Sequence, residues 1–180
     1  DLFHPSRKTE LGLPGPVMLN VGRIAPEKNL EAFLDLDFPG SKVVVGDGPR
    51  LEEFREKYPD VLFPGMKKGV ELAEYYASAD VFVFPSKTDT FGLVMLEALA
   101  CGVPVAAFPV TGPLDVLQQG LTGIMHQDLA AAVTEALGLD SRTCREYAEA
   151  HGWSTIARQF LQALMPINGD KSGELQHAQA

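Results

Sequence analysis

"VFVFPSKTDTFGLVMLEALACGVPVAAF", residues 81 to 108, holds two apolar runs separated by an amphipathic segment. The runs "VFVFP" (81 to 85) and "VPVAAF" (103 to 108) show no polar alternation, as expected of strands covered on both faces. Phe91 to Cys101, between them, has the length and composition of a helix of about three turns. Strand, helix, strand is the repeating unit of a parallel sheet, because parallel neighbours need a crossover of a dozen or more residues.

The same rhythm extends outward in both directions. Upstream lie "VMLNVG" (17 to 22), "KVVVG" (42 to 46) and "VLFPG" (61 to 65); downstream lies a weaker candidate, "TGIMHQ" (122 to 127). Helices are expected at Glu27 to Leu36, Arg50 to Lys57, Gly69 to Ser78 and Asp128 to Leu137. Two more follow at Ser141 to Ala150 and Ser154 to Leu164, the last opened by the cap-like step Trp153-Ser154. The expected fold is α/β: a Rossmann-like, doubly wound parallel sheet of about six strands with helices on both faces. Residues 15–165 form the domain, 1–14 lead into it, and 166–180, "PINGDKSGELQHAQA", lose all periodicity and are read as a mobile tail. In such sheets ligands bind beyond the carboxyl ends of the strands, so the loops of interest follow residues 22, 46, 65, 85 and 108.

Composition bounds the partners. The 180 residues are 46% hydrophobic and 22% charged, which suits one domain with a real core. A formal net charge of −9 argues against a nucleic-acid backbone or an anionic membrane as the main partner, so any anion site must be local. Cys101 and Cys144 give neither a disulfide framework nor a metal cluster, and His4, His126, His151 and His177 lack ligand spacing. No apolar stretch reaches the ~18 to 20 residues of a membrane span, and "DLFHPSRKTE" lacks the apolar core of a signal peptide. The reading is a cytoplasmic protein.

Within the opening stretch one carboxylate stands out. Between Asp89 and Asp115 the only charged residue is Glu97, inside the apolar helix. Removing a carboxylate from water costs several kcal/mol unless hydrogen bonds replace its hydration, so Glu97 needs a partner. A helix beginning near Thr90 would present the free amides of Phe91, Gly92 and Leu93 to an anion. Glu97, at i+4 from Leu93 and i+7 from Thr90, shares their face and is placed to accept hydrogen bonds from the vicinal hydroxyls of a ribose. The alternative is an internal Arg, Lys or backbone amide. After the first strand, Gly22, Arg23 and Lys28 suit either a diphosphate or a tight turn with two solvated charges. "GDGP" around Gly48 reads equally as a close approach for a flat ligand or as a structural turn. The pair Asp35 and Asp37 falls at a helix end and is read as solvated, and Gly112-Pro113 as a chain turn.

"VGRIAPEKNL", "VVVGDGP", "LFPGMKKGVELAEYYASADVFVFPS" and "TDTFGLVMLEALACGVPV" occur in one order. Together they resemble the C-terminal, donor-binding domain of retaining glycosyltransferases of family 4, which have the GT-B fold; the likeness runs from about Leu2 to Gln162. The resemblance implies transfer of a sugar from a nucleoside diphosphate sugar (a UDP-, GDP- or ADP-sugar) with no metal cofactor. It assigns Arg23 and Lys28 to the donor diphosphate and Glu97 to the ribose, as the second glutamate of the family's Glu-x7-Glu motif. Asp89 stands where that motif has its first glutamate, near hydroxyls of the transferred sugar, one methylene shorter. The loop of Gly65, Met66 and Lys67 matches the region that receives the base through backbone contacts. Residues 1–14 resemble the linker between two halves. The acceptor, the catalytic histidine and any membrane contact would belong to an N-terminal half that this chain does not include, so the chain is expected to bind donor without transferring it. Two other readings carry weight: a non-catalytic nucleotide or protein-binding module, and a nucleotide-sugar 2-epimerase of related fold. A phosphorylase is disfavoured, because no lysine for pyridoxal phosphate lies in Phe91 to Cys101.

Overall fold

The computed structural model describes residues 2–88 and 92–151. Six strands form one sheet: β1 (Val17–Val21), β2 (Ser41–Val45), β3 (Leu62–Gly65), β4 (Val81–Phe84), β5 (Val105–Ala107) and β6 (Gly123–Met125). Their order is β3-β2-β1-β4-β5-β6, and every pairing is parallel. Each of the six apolar segments read from the sequence overlaps one strand, with β2 starting one residue earlier, at Ser41. The chain winds outward from β1 through β2 to β3, then returns to the middle at β4 and winds the other way. The β1/β4 boundary is therefore the topological switch point, where loops diverge and leave a crevice beyond the strand ends.

Helices α1 (Glu31–Leu34), α2 (Leu51–Lys57), α3 (Gly69–Ser78), α4 (Leu93–Ala100), α5 (Pro113–Val116), α6 (Leu129–Ala136) and α7 (Ser141–Ala150) complete the fold. Alternate residues of each strand serve opposite faces. Leu19, Val43, Val45, Phe82 and Phe84 pack with Tyr76 of α3, Met95 and Leu99 of α4 and Cys144 of α7. Met18, Val44, Val81, Val83 and Ala106 pack with Phe33 of α1, Phe54 of α2 and Ala132 and Val133 of α6. Burial on both faces explains why the strands read as unbroken apolar runs. At one end of the sheet β3 carries Pro64, and its register with β2 shifts between Val43 and Val45.

Three elements differ from the sequence reading. The helix expected over Glu27 to Leu36 is a 3-10 turn (Pro26–Lys28) and a single α turn (α1), separated by Asn29 in the left-handed region at φ 51°. Asparagine tolerates that conformation, and a cross-loop bond from its side chain holds it there. Helix α4 starts at Leu93 with Gly92 as its cap, later than the Thr90 to Phe91 start expected. Gly112-Pro113, expected only to turn the chain, opens the short helix α5. The helix expected at Ser154 to Leu164 and the tail 166–180 lie outside the described residues.

Both cysteines are free and buried, and burial pushes the Cys101 thiol up to about 12 and that of Cys144 to about 11. Among the described residues no helix is long and apolar enough to cross a membrane. The segment ahead of β1 is fastened to the helices: the amide of Thr9 donates to Ser78 Oγ at 2.9 Å, and Arg145 Nη1 donates to the Phe3 carbonyl at 2.8 Å.

Candidate functional site

Two adjoining cavities open along the carboxyl edge of β3-β2-β1-β4, and they share Val21, Gly22 and Arg23. The first, about 660 Å³, lies over the ends of β1, β2 and β3 and includes Asp47, Gly48, Met66 and Lys67. The second, about 410 Å³, fills the switch point and includes Asn20, Lys28 and Ser86 beside Gly92, Leu93 and Val94 at the tip of α4.

The glycines divide into two kinds. The loops after β1 and β2 are stitched together by backbone bonds: Gly22 N to Val45 O at 3.0 Å, Ile24 N to Asp47 O at 2.9 Å, and Arg50 N to Ile24 O at 3.2 Å. A Cβ on Gly46 would sit 1.8 Å from the Gly22 carbonyl oxygen, and one on Gly48 would sit 2.2 Å from that of Ile24. Those two residues are glycine because another backbone passes there, which favours the structural side of the reading left open for "GDGP". A Cβ on Gly22 would meet nothing within 4 Å. Gly22 borders both cavities, so its bare backbone leaves room for a ligand to come close.

Across the switch point the width of the crevice is set by two asparagines. Asn20 Nδ2 donates to the Val83 carbonyl at 2.9 Å inside the sheet, and Asn29 Nδ2 donates to the Pro85 carbonyl at 2.9 Å in the loops above. Thr88 Oγ1 adds a 3.3 Å bond to the Glu27 carbonyl. The sequence reading passed over both asparagines. Asn20 was detectable on the same ground as Glu97, as a lone polar side chain within an apolar run.

Of the two cations, Arg23 has a side chain 67% exposed and reaches Glu27 at 3.5 Å. Such an exposed pair contributes about 0.2 to 1 kcal/mol, so Arg23 can exchange it for a stronger anion. Lys28 closes the 3-10 turn and lines the second cavity opposite the tip of α4, where Gly92 contributes no side-chain cap. Gly22, Arg23, Lys28, Gly92 and Leu93 therefore share the second cavity; Gly22, Arg23, Gly48 and Met66 share the first. A cationic mouth at a helix start favours an anion through both the helix dipole and direct charge. Asp89, Thr90 and Phe91 lie outside the described residues.

Glu97 sits one turn along α4 from Leu93, half-buried, and is not among the residues lining either cavity. Its partner is a phenol: Tyr76 of α3, fully buried, donates its hydroxyl to Glu97 Oε2 at 2.8 Å. Neither a fixed cation nor a backbone amide takes that place among the described residues. Burial holds the Glu97 carboxyl above the usual carboxylate range, and the Tyr76 hydrogen bond pulls it partly back. Burial, together with the charge of Glu97, drives the Tyr76 hydroxyl well above the ordinary phenol range, so it remains a donor.

Because its folded-state value is raised, Glu97 destabilises the fold most above that value. The penalty fades as pH falls through it and is gone below the unfolded value. Glu97→Gln keeps an acceptor for Tyr76 and removes the charge, so the variant is expected to melt at or above the parent's temperature near neutral pH. The two melting curves should converge as pH drops through the carboxylate range. A variant less stable than the parent at neutral pH would show that the charge is better compensated than this geometry indicates.

The pair Asp35 and Asp37 ends α1 as expected of a helix terminus. Tyr58 donates to Asp35 Oδ1 at 2.6 Å, and Lys42 Nζ donates to the Leu34 and Leu36 carbonyls at 2.6 Å each. Among the described residues no group of three or more His, Cys, Asp or Glu side chains is placed to hold a metal ion.

Residues 15–139 match the family model described as glycosyl transferases group 1. A GDP-mannose-dependent alpha-mannosyltransferase of Corynebacterium glutamicum is 35% identical over 155 residues, covering 79% of this chain and 38% of that protein. Sulfoquinovosyl transferase SQD2 of Arabidopsis thaliana is 34% identical over 157 residues, covering 77% of this chain and 31% of that protein. Among solved structures, sucrose-phosphate synthase from Thermosynechococcus elongatus matches with a TM-score of 0.77 at 31% identity, over 89% of this chain and 48% of that one. The chain thus spans about a third of the length of these curated relatives.

Proposed function

The chain belongs to the glycosyl transferases group 1 family, and from this we propose that it is the donor-binding domain of a retaining, family 4 type transferase that uses a nucleoside diphosphate sugar. One observation carries the reading. A continuous crevice runs along the carboxyl edge of the sheet, with Met66 at one end, Arg23 and Lys28 in the middle and the tip of α4 at the other. The base enters the first cavity beside Met66 and Lys67. The diphosphate lies at the switch point against Gly22, Arg23, Lys28 and the first turn of α4, the ribose turns toward Glu97, and hydroxyls of the transferred sugar are assigned to Asp89 by the family's motif.

In the reaction the bond between the anomeric carbon and the diphosphate oxygen breaks, and its electron pair stays on the diphosphate. Arg23 and Lys28 neutralise the charge that grows there, a role that elsewhere falls to a divalent cation. The acceptor hydroxyl attacks from the face the diphosphate leaves, which retains the anomeric configuration. Its proton passes to a diphosphate oxygen, so no protein nucleophile is consumed. The acceptor comes from a second, N-terminal domain, in a cytoplasmic enzyme whose membrane contact, where there is one, runs through that domain. The 180-residue chain alone binds donor and does not transfer.

The test is a thermal-shift and calorimetric panel of GDP, UDP and ADP on this chain, with and without magnesium. One nucleotide is expected to dominate, its effect unchanged by chelator, and saturation to about 100 times Kd should add about 2.7 kcal/mol of stability. If none of the three shifts the transition at millimolar concentration, the proposal fails.

A further inference from the structure

Glu97 is held by something unexpected, and that holder is itself held. The Tyr76 ring is fully buried between α3 and the sheet, stacked in a tilted contact on Phe82 at 5.7 Å between centroids. Phe3 meets it in a T-shaped contact, 5.5 Å between centroids and 89° between planes. Phe3 belongs to the segment that leads into the domain, 73 residues before Tyr76 in the chain. The backbone of that segment is pinned by Arg145 of α7, whose Nη1 donates both to the Phe3 carbonyl, at 2.8 Å, and to the Ala100 carbonyl. Arg145 is itself oriented by Glu149 at 2.7 Å.

Ala100 is the last residue of α4, the helix that carries Glu97. The entering segment therefore touches that helix at two points: through Arg145 at its carboxyl end, and through Tyr76 at the Glu97 side chain. A carboxylate on a rotatable side chain reads a sugar diol well only if its orientation is fixed before the ligand arrives. The Tyr76 hydroxyl, on a buried ring held by Phe3 and Phe82, supplies that fixation for one oxygen of Glu97.

We propose that Tyr76 is the positioning residue for Glu97, and that the entering segment, through Phe3, keeps Tyr76 in that role. Ribose recognition is thereby coupled to how the preceding chain is seated. The inference rests on the reading of Glu97 as the ribose-contacting carboxylate, so its test keeps the two apart. In the 180-residue chain, Kd is measured for GDP, UDP and ADP, each against its 2′,3′-dideoxy counterpart. The ratio of the two values on one variant cancels any general loss of stability.

The parent prefers the ribose form. Tyr76→Phe, which keeps the ring, is expected to reduce that preference by about three- to tenfold, the range of one lost hydrogen bond. Phe3→Ala reduces it by a smaller factor, and neither change has an effect in a Glu97→Ala background. Should Tyr76→Phe keep the parent ratio while Glu97→Ala abolishes it, the positioning role is wrong. An unchanged ratio in Phe3→Ala overturns the coupling to the entering segment, and that variant leaves the Tyr76 hydroxyl in place if Tyr76→Phe fails to fold. If Glu97→Ala itself retains the preference, or no nucleotide binds, the ribose reading falls and this inference with it.

Discussion

Gly46→Ala is expected to cost on the order of 3 to 6 kcal/mol, a large fraction of the about 5 to 15 kcal/mol that holds a domain folded. The new Cβ would lie 1.8 Å from the Gly22 carbonyl oxygen, so one of the two loops must move. Moving them breaks a bonded seam: Gly46 N donates to Gly65 O at 3.0 Å, Gly22 N to Val45 O at 3.0 Å, and Ile24 N to Asp47 O at 2.9 Å. Each such bond is worth about 1 kcal/mol net, and the overpacking adds about 1 to 3. The backbone angle, φ 152°, is also one that L side chains rarely adopt. Gly22→Ala is the matched control, because its Cβ meets nothing within 4 Å. Gly22 has a backbone angle of the same kind, φ 158°, so that variant should lose only about 1 to 3 kcal/mol in urea denaturation, the cost of the strained angle without the backbone clash. A Gly46→Ala protein that unfolds at the parent's urea midpoint would show that the seam is slack.

The second large effect concerns the two cations. Lys28→Ala and Arg23→Ala are each expected to weaken nucleoside diphosphate binding about 10- to 100-fold, the range of a lost charge-assisted hydrogen bond. The loss should be greatest for the diphosphate, smaller for the monophosphate and near zero for the nucleoside if, as proposed, the cations hold the phosphates. Affinity in the parent should fall with added salt, and the slope should flatten in either variant. Rejoined to an acceptor-binding half, the same changes should lower kcat by about 10² to 10³, because charge on the departing diphosphate is greatest in the transition state. Equal affinity of parent and Lys28→Ala for all three nucleotide forms would remove Lys28 from the site.

How far the site was legible depended on whether its chemistry left a mark along the chain. All six strands were visible because burial on both faces forces unbroken apolar runs, and their alternation with helices then pointed to the loops beyond the carboxyl ends. Arg23 and Lys28 were legible as cations in the loop after a strand, and Gly92 as an amide at a helix start. The partner of Glu97 was not. Tyr76 lies 21 residues away on another helix, and within "ELAEYYASA" nothing separates the tyrosine that turns inward from its half-exposed neighbour Tyr75. The break in the helix at Asn29 was hidden for a similar reason, since the bond that stabilises its left-handed backbone goes to Pro85, 56 residues on. Helix periodicity reports local preference, whereas both of these residues answer to contacts made by folding.

The two rims of the sheet have a consequence for the chain in concentrated solution. A strand with an open edge is a template on which other molecules aggregate, and among the described residues both outermost strands are blunted. Pro64 has no N–H to offer an incoming strand, and the slipped ladder around it bends the line of acceptors. On the far side β6 is only three residues long, too short for lateral growth to take hold. A parallel sheet that opens its carboxyl edge to solvent for function thus denies its lateral edges to its own copies.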